Sequence, residues 1–423
     1  MKSLHKIILF ALLPLMGACS GMLDIEPHSA VSPTVVGSDD IEALRIGMYN
    51  KVQEGPTYYS YIAFDLFGGE LMTSTGRPID LINSLSNALH TFVSSQWNGY
   101  YKALLQVNNV MSIAEGLADS PTRNRVLGEC RYFRAYIYLC LVTRFGDVPV
   151  LRQNTQAKVS RDPASMAWEL VEEDLDAASG FLNGLSADSF YYVSPAAVTA
   201  LKARVKLYLG KKGEAKELAE SLIANPNYAL DDFDKIFRSK ANKEVIFAFS
   251  CLTEDGSSIK ISNQFYSYNH PNKGSYNYRP AGDVMTMYAD NDLRKEVSIT
   301  TLDNLNFVNK YPSGQTGSDP VVISRLAEMY LISAEAQGLN GGLDLSQRTA
   351  GKARPRQGES GERSRFSRRG ASGAPSGVPR RGFPLVRPRA DRKGYADARH
   401  EGLPVPDAAS EPGVALQSEP QTE

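Results

Sequence analysis

The chain has 423 residues and a formal net charge of −1, long enough for a large core and without the concentrated basic charge of a nucleic-acid binder. Four cysteines, Cys19, Cys130, Cys140 and Cys251, make no disulfide framework. Five histidines scattered singly give no metal-ligand spacing, so neither metal nor cofactor is expected.

In chain order, Lys2 and Lys6 precede an apolar run at 7–15, too short to span a bilayer. Gly17-Ala18 then meets Cys19, a pattern that resembles a bacterial lipoprotein signal. On that reading residues 1–18 are removed and Cys19 becomes the lipidated first residue. Its acyl chains hold the protein at a membrane surface, and residues 19–37 form a tether.

Residues 38–42, with Ser38, Asp39 and Asp40, signal the start of a helix through Ile46, Met48 and Tyr49. A loop rich in Gly and Tyr is expected at 55–76. Trp97, Tyr100, Tyr101, Leu104, Leu105, Asn108 and Met111 then mark a helix by their spacing, their aromatics reading as core. Residues 128–150 carry the strongest pattern. Val126, Cys130, Phe133, Ile137 and Leu141 share one face, and from Ala135 to Val142 apolar residues wrap most of the way round, the mark of a helix buried on several sides. Cys130 and Cys140 on it lie roughly 15 Å apart by helical rise, too far to bridge. Gly146-Asp147 breaks this helix, and Pro149 holds the exit extended. Residues 165–182 form another amphipathic helix, with Glu172, Glu173 and Asp174 on a solvated face. Ser194-Pro195 opens a helix to residue 209, and a turn at 210–213 leads into one over 214–223, a tetratricopeptide-like hairpin.

Beyond Asn225 the pattern changes. A strand is expected at 244–250, and helical signal at 284–288 and 324–338. Between them, 257–280 is long, irregular and rich in Asn, Ser and Gly, with Tyr266, Tyr268, Tyr276 and Tyr278 as candidate ligand-binding residues. Flat aromatic faces suit the C–H surfaces of sugar rings, and neighbouring amides and a guanidinium suit their hydroxyls. The alternative is that these tyrosines pack on their own scaffold.

Several stretches together resemble the SusD/RagB family of nutrient-binding outer-membrane lipoproteins. Gly128-Glu129, Arg131, Phe133-Arg134-Ala135-Tyr136 and Phe145-Gly146-Asp147-Val148-Pro149 look like its strongest internal motif. Leu23-Asp24 with Pro27, residues 200–208, Asp292-Leu293-Arg294 and residues 325–336 fit further motifs in order. The resemblance implies a mainly α fold, a superhelix of tetratricopeptide-like hairpins with an irregular ligand-binding half. It also implies a cell-surface, lipid-anchored outer-membrane protein that binds a glycan or other nutrient for a SusC-like TonB-dependent transporter, and no catalytic residues.

The resemblance extends in order from Cys19 to about Leu345, with 38–345 as the folded domain, and stops there. Residues 346–423 are rich in Arg, Gly, Pro, Ser and Ala without apolar periodicity, a composition of disorder. The last two bases of each codon with the first of the next permit NELRAKRGL at 347–355, ERRxE at 373–377, EGFRWFDLVR at 381–390 and QNPK at 418–421. These are family hallmarks in family order, so the tail reads as a C-terminus translated out of frame, and the chain as a damaged copy. Such a chain leaves the apolar faces of 284–288 and 324–338 partly exposed.

Two other readings compete. A tetratricopeptide scaffold for protein partners shares the helices but not the tyrosine-rich loop. A glycan hydrolase needs positioned carboxylates, for which Asp65, Glu70 and Asp80 are the candidates, but no nucleophile elbow, phosphate loop or zinc motif accompanies them.

Overall fold

The computed structural model describes residues 40–74, 90–238, 241–251, 259–289 and 292–338. Cys19, the tether, Asp80 and the 346–423 tail with its frame reading lie outside them. Among the described residues, seven of the eight longer helices form a row in which each packs on the next. α1 (Ile41–Glu54) lies on α3 (Thr91–Glu115), α3 on α4 (Pro121–Phe145) and α4 on α5 (Ala164–Phe181). The row continues through α6 (Pro195–Tyr208) and α7 (Lys212–Ile223) to α10 (Leu326–Gln337), with the short α8 (Phe233–Arg238) and α9 (Arg294–Ser298) outside it. The described residues also form three two-stranded antiparallel ribbons. β1 (Leu71–Thr73) pairs with β3 (Tyr278–Pro280), β2 (Val245–Phe249) with β6 (Val321–Arg325), and β4 (Ile299–Leu302) with β5 (Leu305–Val308). Among the described residues no helix is long and apolar enough to cross a membrane.

α4 is the centre of the core, as its sequence pattern requires. Ser120 Oγ accepts the Arg123 N–H at 3.2 Å and Pro121 takes the first turn, where its missing N–H does no harm. Almost every side chain from Val126 to Val142 is buried. Gly146, at φ +72°, ends the helix, and Val148 pairs backbone to backbone with Asp162. Gly128 is small for a reason: a Cβ there would lie 2.5 Å from Leu182 Cγ, so only glycine lets the end of α5 come this close. Cys130 and Cys140 are free and buried.

The charged residues of the α4 motif point inward and are paired. Glu129 receives Arg45 from α1 through Nε at 2.5 Å and Nη2 at 2.8 Å. Arg134 grips Asp174 of α5 at 2.7 and 2.8 Å and donates to the Arg152 carbonyl at 2.6 Å, while Arg131 reaches the same carboxylate at 3.0 Å. Asp174 is therefore not on a solvated face. It is wholly buried, because two guanidiniums satisfy it, whereas Glu173 beside it is exposed and Glu172 binds Lys206 and Lys211 at the surface. Arg204 of α6 likewise holds Glu328 of α10 at 2.5 and 2.7 Å and the Ile323 carbonyl at 2.6 Å.

Three sequence expectations change. Residues 55–76 are not a loop: Thr57–Gly68 is helix α2, which buries Ile62, Ala63 and Leu66. Residues 284–288 form only one short 3-10 turn with no buried side chain. The 324–338 segment begins as β6 and becomes α10 at Leu326, which buries Leu326, Met329 and Ile332, so that apolar face is largely covered. Asp40 precedes α1 without a side-chain capping bond.

Candidate functional site

The tyrosine-rich segment folds as a pinned loop with an outward tip. Ile259, Ile261, Phe265 and Tyr266 are buried anchors, and Phe265 stacks on Tyr311 at 6.2 Å. The two arms of the loop run side by side. Ser275 N–H donates to the Asn263 carbonyl at 2.7 Å, Tyr276 N–H to Tyr266 at 2.9 Å and Asn277 N–H to Gln264 at 2.8 Å. The Asn277 amide also donates to Gln264 Oε1 at 2.8 Å. Gly274 sits where the arms touch, and a Cβ there would lie 2.6 Å from the Tyr266 carbonyl oxygen. Lys273 and Tyr276 have φ of +49° and +45°, strained for side-chain-bearing residues and tolerable only because the bonds around them over-determine the backbone.

A second turn braces the base. Ser262 Oγ donates to the Gly314 carbonyl at 2.8 Å, and Ser313 N–H donates to Asp319 at 2.9 Å. Burial raises the Asp319 carboxyl above its ordinary range, with the Ser313 donors opposing. Between the arms, the tip turns through bonds from His270 N–H to Ser267 and Lys273 N–H to His270, while Asn272 N–H donates to His270 Nδ1 at 3.1 Å. His270 lies between Tyr266 and Phe307, centroids 4.5 and 4.8 Å away, and burial lowers its pKa below the ordinary histidine value.

The four candidate tyrosines do not form one platform. Tyr266 is fully buried, stacks on Phe307 and donates its hydroxyl to Asn309 Oδ1 at 2.9 Å. Tyr278 is buried in β3 opposite Thr73 and meets Tyr58 of α2 edge-on at 6.3 Å. Both are structural, because their rings fill space between the loop and the rest of the fold. Tyr276 is half-buried against Phe307, its hydroxyl donating to the Asn306 carbonyl at 3.2 Å. Tyr268 is 72% exposed at the tip, with Lys273 Nζ 5.9 Å from its ring centre and exposed Asn269 beside it. Of the four, Tyr268 is thus open to solvent and Tyr276 partly so.

The sequence reading missed Tyr58 and Tyr59, half-buried on α2 and joined to Tyr278 and Phe92. Their spacing beside Ile62 and Leu66 was the available signal. Trp97 and Tyr101 are core partners, as their spacing predicts: Trp97 meets Phe145 edge-on, and Tyr101 donates to the Pro149 carbonyl at 2.9 Å. Of the candidate acids, Asp65 lies on α2, where burial raises its carboxyl to about 6 against an opposing pull from Lys310. Glu70 follows α2 within electrostatic reach of Asp65, and one of its carboxylate oxygens is buried without a hydrogen-bond partner. Among the described residues no group of His, Cys, Asp and Glu could hold a metal ion.

Comparison with known proteins agrees with this architecture. Residues 22–209 match a family model described as SusD-like, starch-binding associating with outer membrane. No curated protein matches the chain. Among solved structures it is similar to NanU of B. fragilis, at 22% identity and TM-score 0.61, covering 74% of this chain and 76% of that one. A SusD superfamily protein from Bacteroides thetaiotaomicron shares 21% identity at TM-score 0.63, covering 75% and 79%. A SusD-like carbohydrate binding protein from Bacteroides vulgatus shares 19% at TM-score 0.64, covering 75% of each chain. The chain shares their fold.

Proposed function

We propose that this chain is a glycan- or nutrient-binding protein of the SusD/RagB type, not an enzyme. It is held at the cell surface by acyl chains on Cys19 and works beside a SusC-like TonB-dependent transporter in the outer membrane. The observation that carries this reading is the match of residues 22–209 to a family model described as starch-binding and outer-membrane-associated. The pinned tip is consistent with it, because a sugar ring needs a rigid, exposed aromatic face and Tyr268 offers one. Tyr268 and Tyr276 are the proposed contacts. Affinity gel electrophoresis against a glycan panel tests them: Tyr268→Ala should abolish retardation and Tyr276→Ala should weaken it. Retardation unchanged in both removes the tip from consideration. Release of reducing ends would replace the binder with a hydrolase, and no glycan response at all would favour a tetratricopeptide scaffold.

Residues 346–423 are proposed to be the out-of-frame remnant of a C-terminal lobe. Resequencing the DNA around residue 345 tests this, and an intact frame reproduced from a second isolate removes the idea.

A further inference from the structure

We infer that the saccharide taken by the Tyr268 tip is acidic, carrying a carboxylate that Lys273 recognises. This rests on the proposed binding function and narrows its ligand. Three observations point the same way.

The first is charge. Residues 259–282 hold Lys260, Lys273, Arg279 and His270 and no Asp or Glu, in a chain whose 46 basic and 47 acidic residues nearly balance. The segment that builds the tip is thus a local excess of positive charge. It is a short one, ending at Asp283, and Lys273 is the cation it places at the exposed ring.

The second is the state of Lys273. Several lysines of the helical half are tied to carboxylates, Lys202 to Asp176 at 2.7 Å, Lys206 to Glu172 at 2.8 Å and Lys211 to Glu172 at 2.6 Å. Among the described residues no carboxylate pairs with Lys273, whose ammonium instead lies near the face of Tyr268. A cation left without a counter-charge beside an exposed aromatic ring is available to a ligand.

The third is the backbone. Lys273 adopts φ +49°, which glycine or asparagine would take more readily, and its N–H is bonded to the His270 carbonyl at 2.9 Å. The lysine stem therefore leaves the tip from a fixed point beside the Tyr268 ring. A pyranose lying on that ring directs an exocyclic group towards the ammonium. A hydroxymethyl there gains little, whereas a carboxylate gains a charge-assisted bond.

Titration of the full chain with carboxylated oligosaccharides of several linkages, each beside its carboxyl-reduced counterpart, tests this. We expect at least about tenfold tighter binding of the acidic member of one pair, weakening as sodium chloride is added. Lys273→Gln should remove that preference while leaving residual binding, Lys273→Arg should keep it, and Tyr268→Ala should abolish both. Melting temperatures of the variants should stay unchanged, since both side chains are exposed. Equal binding of acidic and reduced forms through Tyr268, or a preference that survives Lys273→Gln, overturns the inference and leaves the binding function standing. No binding of any member, acidic or neutral, overturns both.

Discussion

Glu129 and Asp174 are wholly buried carboxylates, and each is tolerable only because a guanidinium meets it with two bonds. Removing one partner strands the other. Arg134→Met should destabilise the fold by about 3–5 kcal/mol, and the double variant with Asp174→Leu should recover much of that loss in a denaturant melt. Recovery should be incomplete, because Arg131 and the Arg152 carbonyl lose a partner too. Asp65 gives a pH signature. Its folded value of about 6 lies above its ordinary 3.8, so the folded state holds the proton more tightly than the unfolded chain does. Its contribution is fully present below about pH 4 and fades as pH rises through about 6, on the order of 3 kcal/mol in all. Wild type should lose most of this amount relative to Asp65→Asn between pH 4 and 7, and a constant difference across that range would refute the assignment. From the sequence, Glu129 and Arg134 could be recognised as a motif but not paired, since their partners lie 84 and 40 positions away.

At the scale of elements, legibility followed the periodicity. α4, α5, α6 and α7 could be placed from apolar spacing and the Ser194-Pro195 start, whose Oγ accepts the Ala197 N–H at 3.1 Å. α2 could not be placed this way. Its tyrosines and flanking glycines imitate a loop, and it is tertiary contact that selects the helix, through burial of Ile62, Ala63 and Leu66. The same blindness affected the four tyrosines of the irregular half. Composition located the tip, but only the fold separates Tyr266, a core ring, from Tyr268 two residues later, since the chain bends at Tyr266 and turns outward through Tyr268 and Asn269. Tyr266→Ala should therefore cost about 3–5 kcal/mol of stability, while Tyr268→Ala should leave the melting temperature where it is. Chemical denaturation of the two variants side by side reads the difference directly.

At the scale of the whole molecule, the helices form a row whose last described member, α10, is fastened to α6 by Arg204–Glu328 and packs on α7. The row is closed on that face by its own residues. Elsewhere large apolar side chains stay open to water, among them Met287 at 42% and Leu293 at 48%. If a C-terminal lobe has been lost, restoring the frame should cover such residues, raise the melting temperature and reduce binding of a hydrophobic dye. Matching melts for the repaired and present chains would argue against that loss.

The bonds that hold the tip up run between backbone atoms of residues 263–266 and 275–277 and between buried side chains at its base, whereas Tyr268, Asn269 and Lys273 contribute little to that frame. On the proposed binding function, support and recognition are carried by separate side chains. The tip would then be an exchangeable cassette, its outward side chains replaceable while the helices beneath stay fixed. On that reading, substitutions of the Tyr268 and Asn269 side chains should leave the melting temperature unchanged, whereas His270, packed between Tyr266 and Phe307, is not exchangeable.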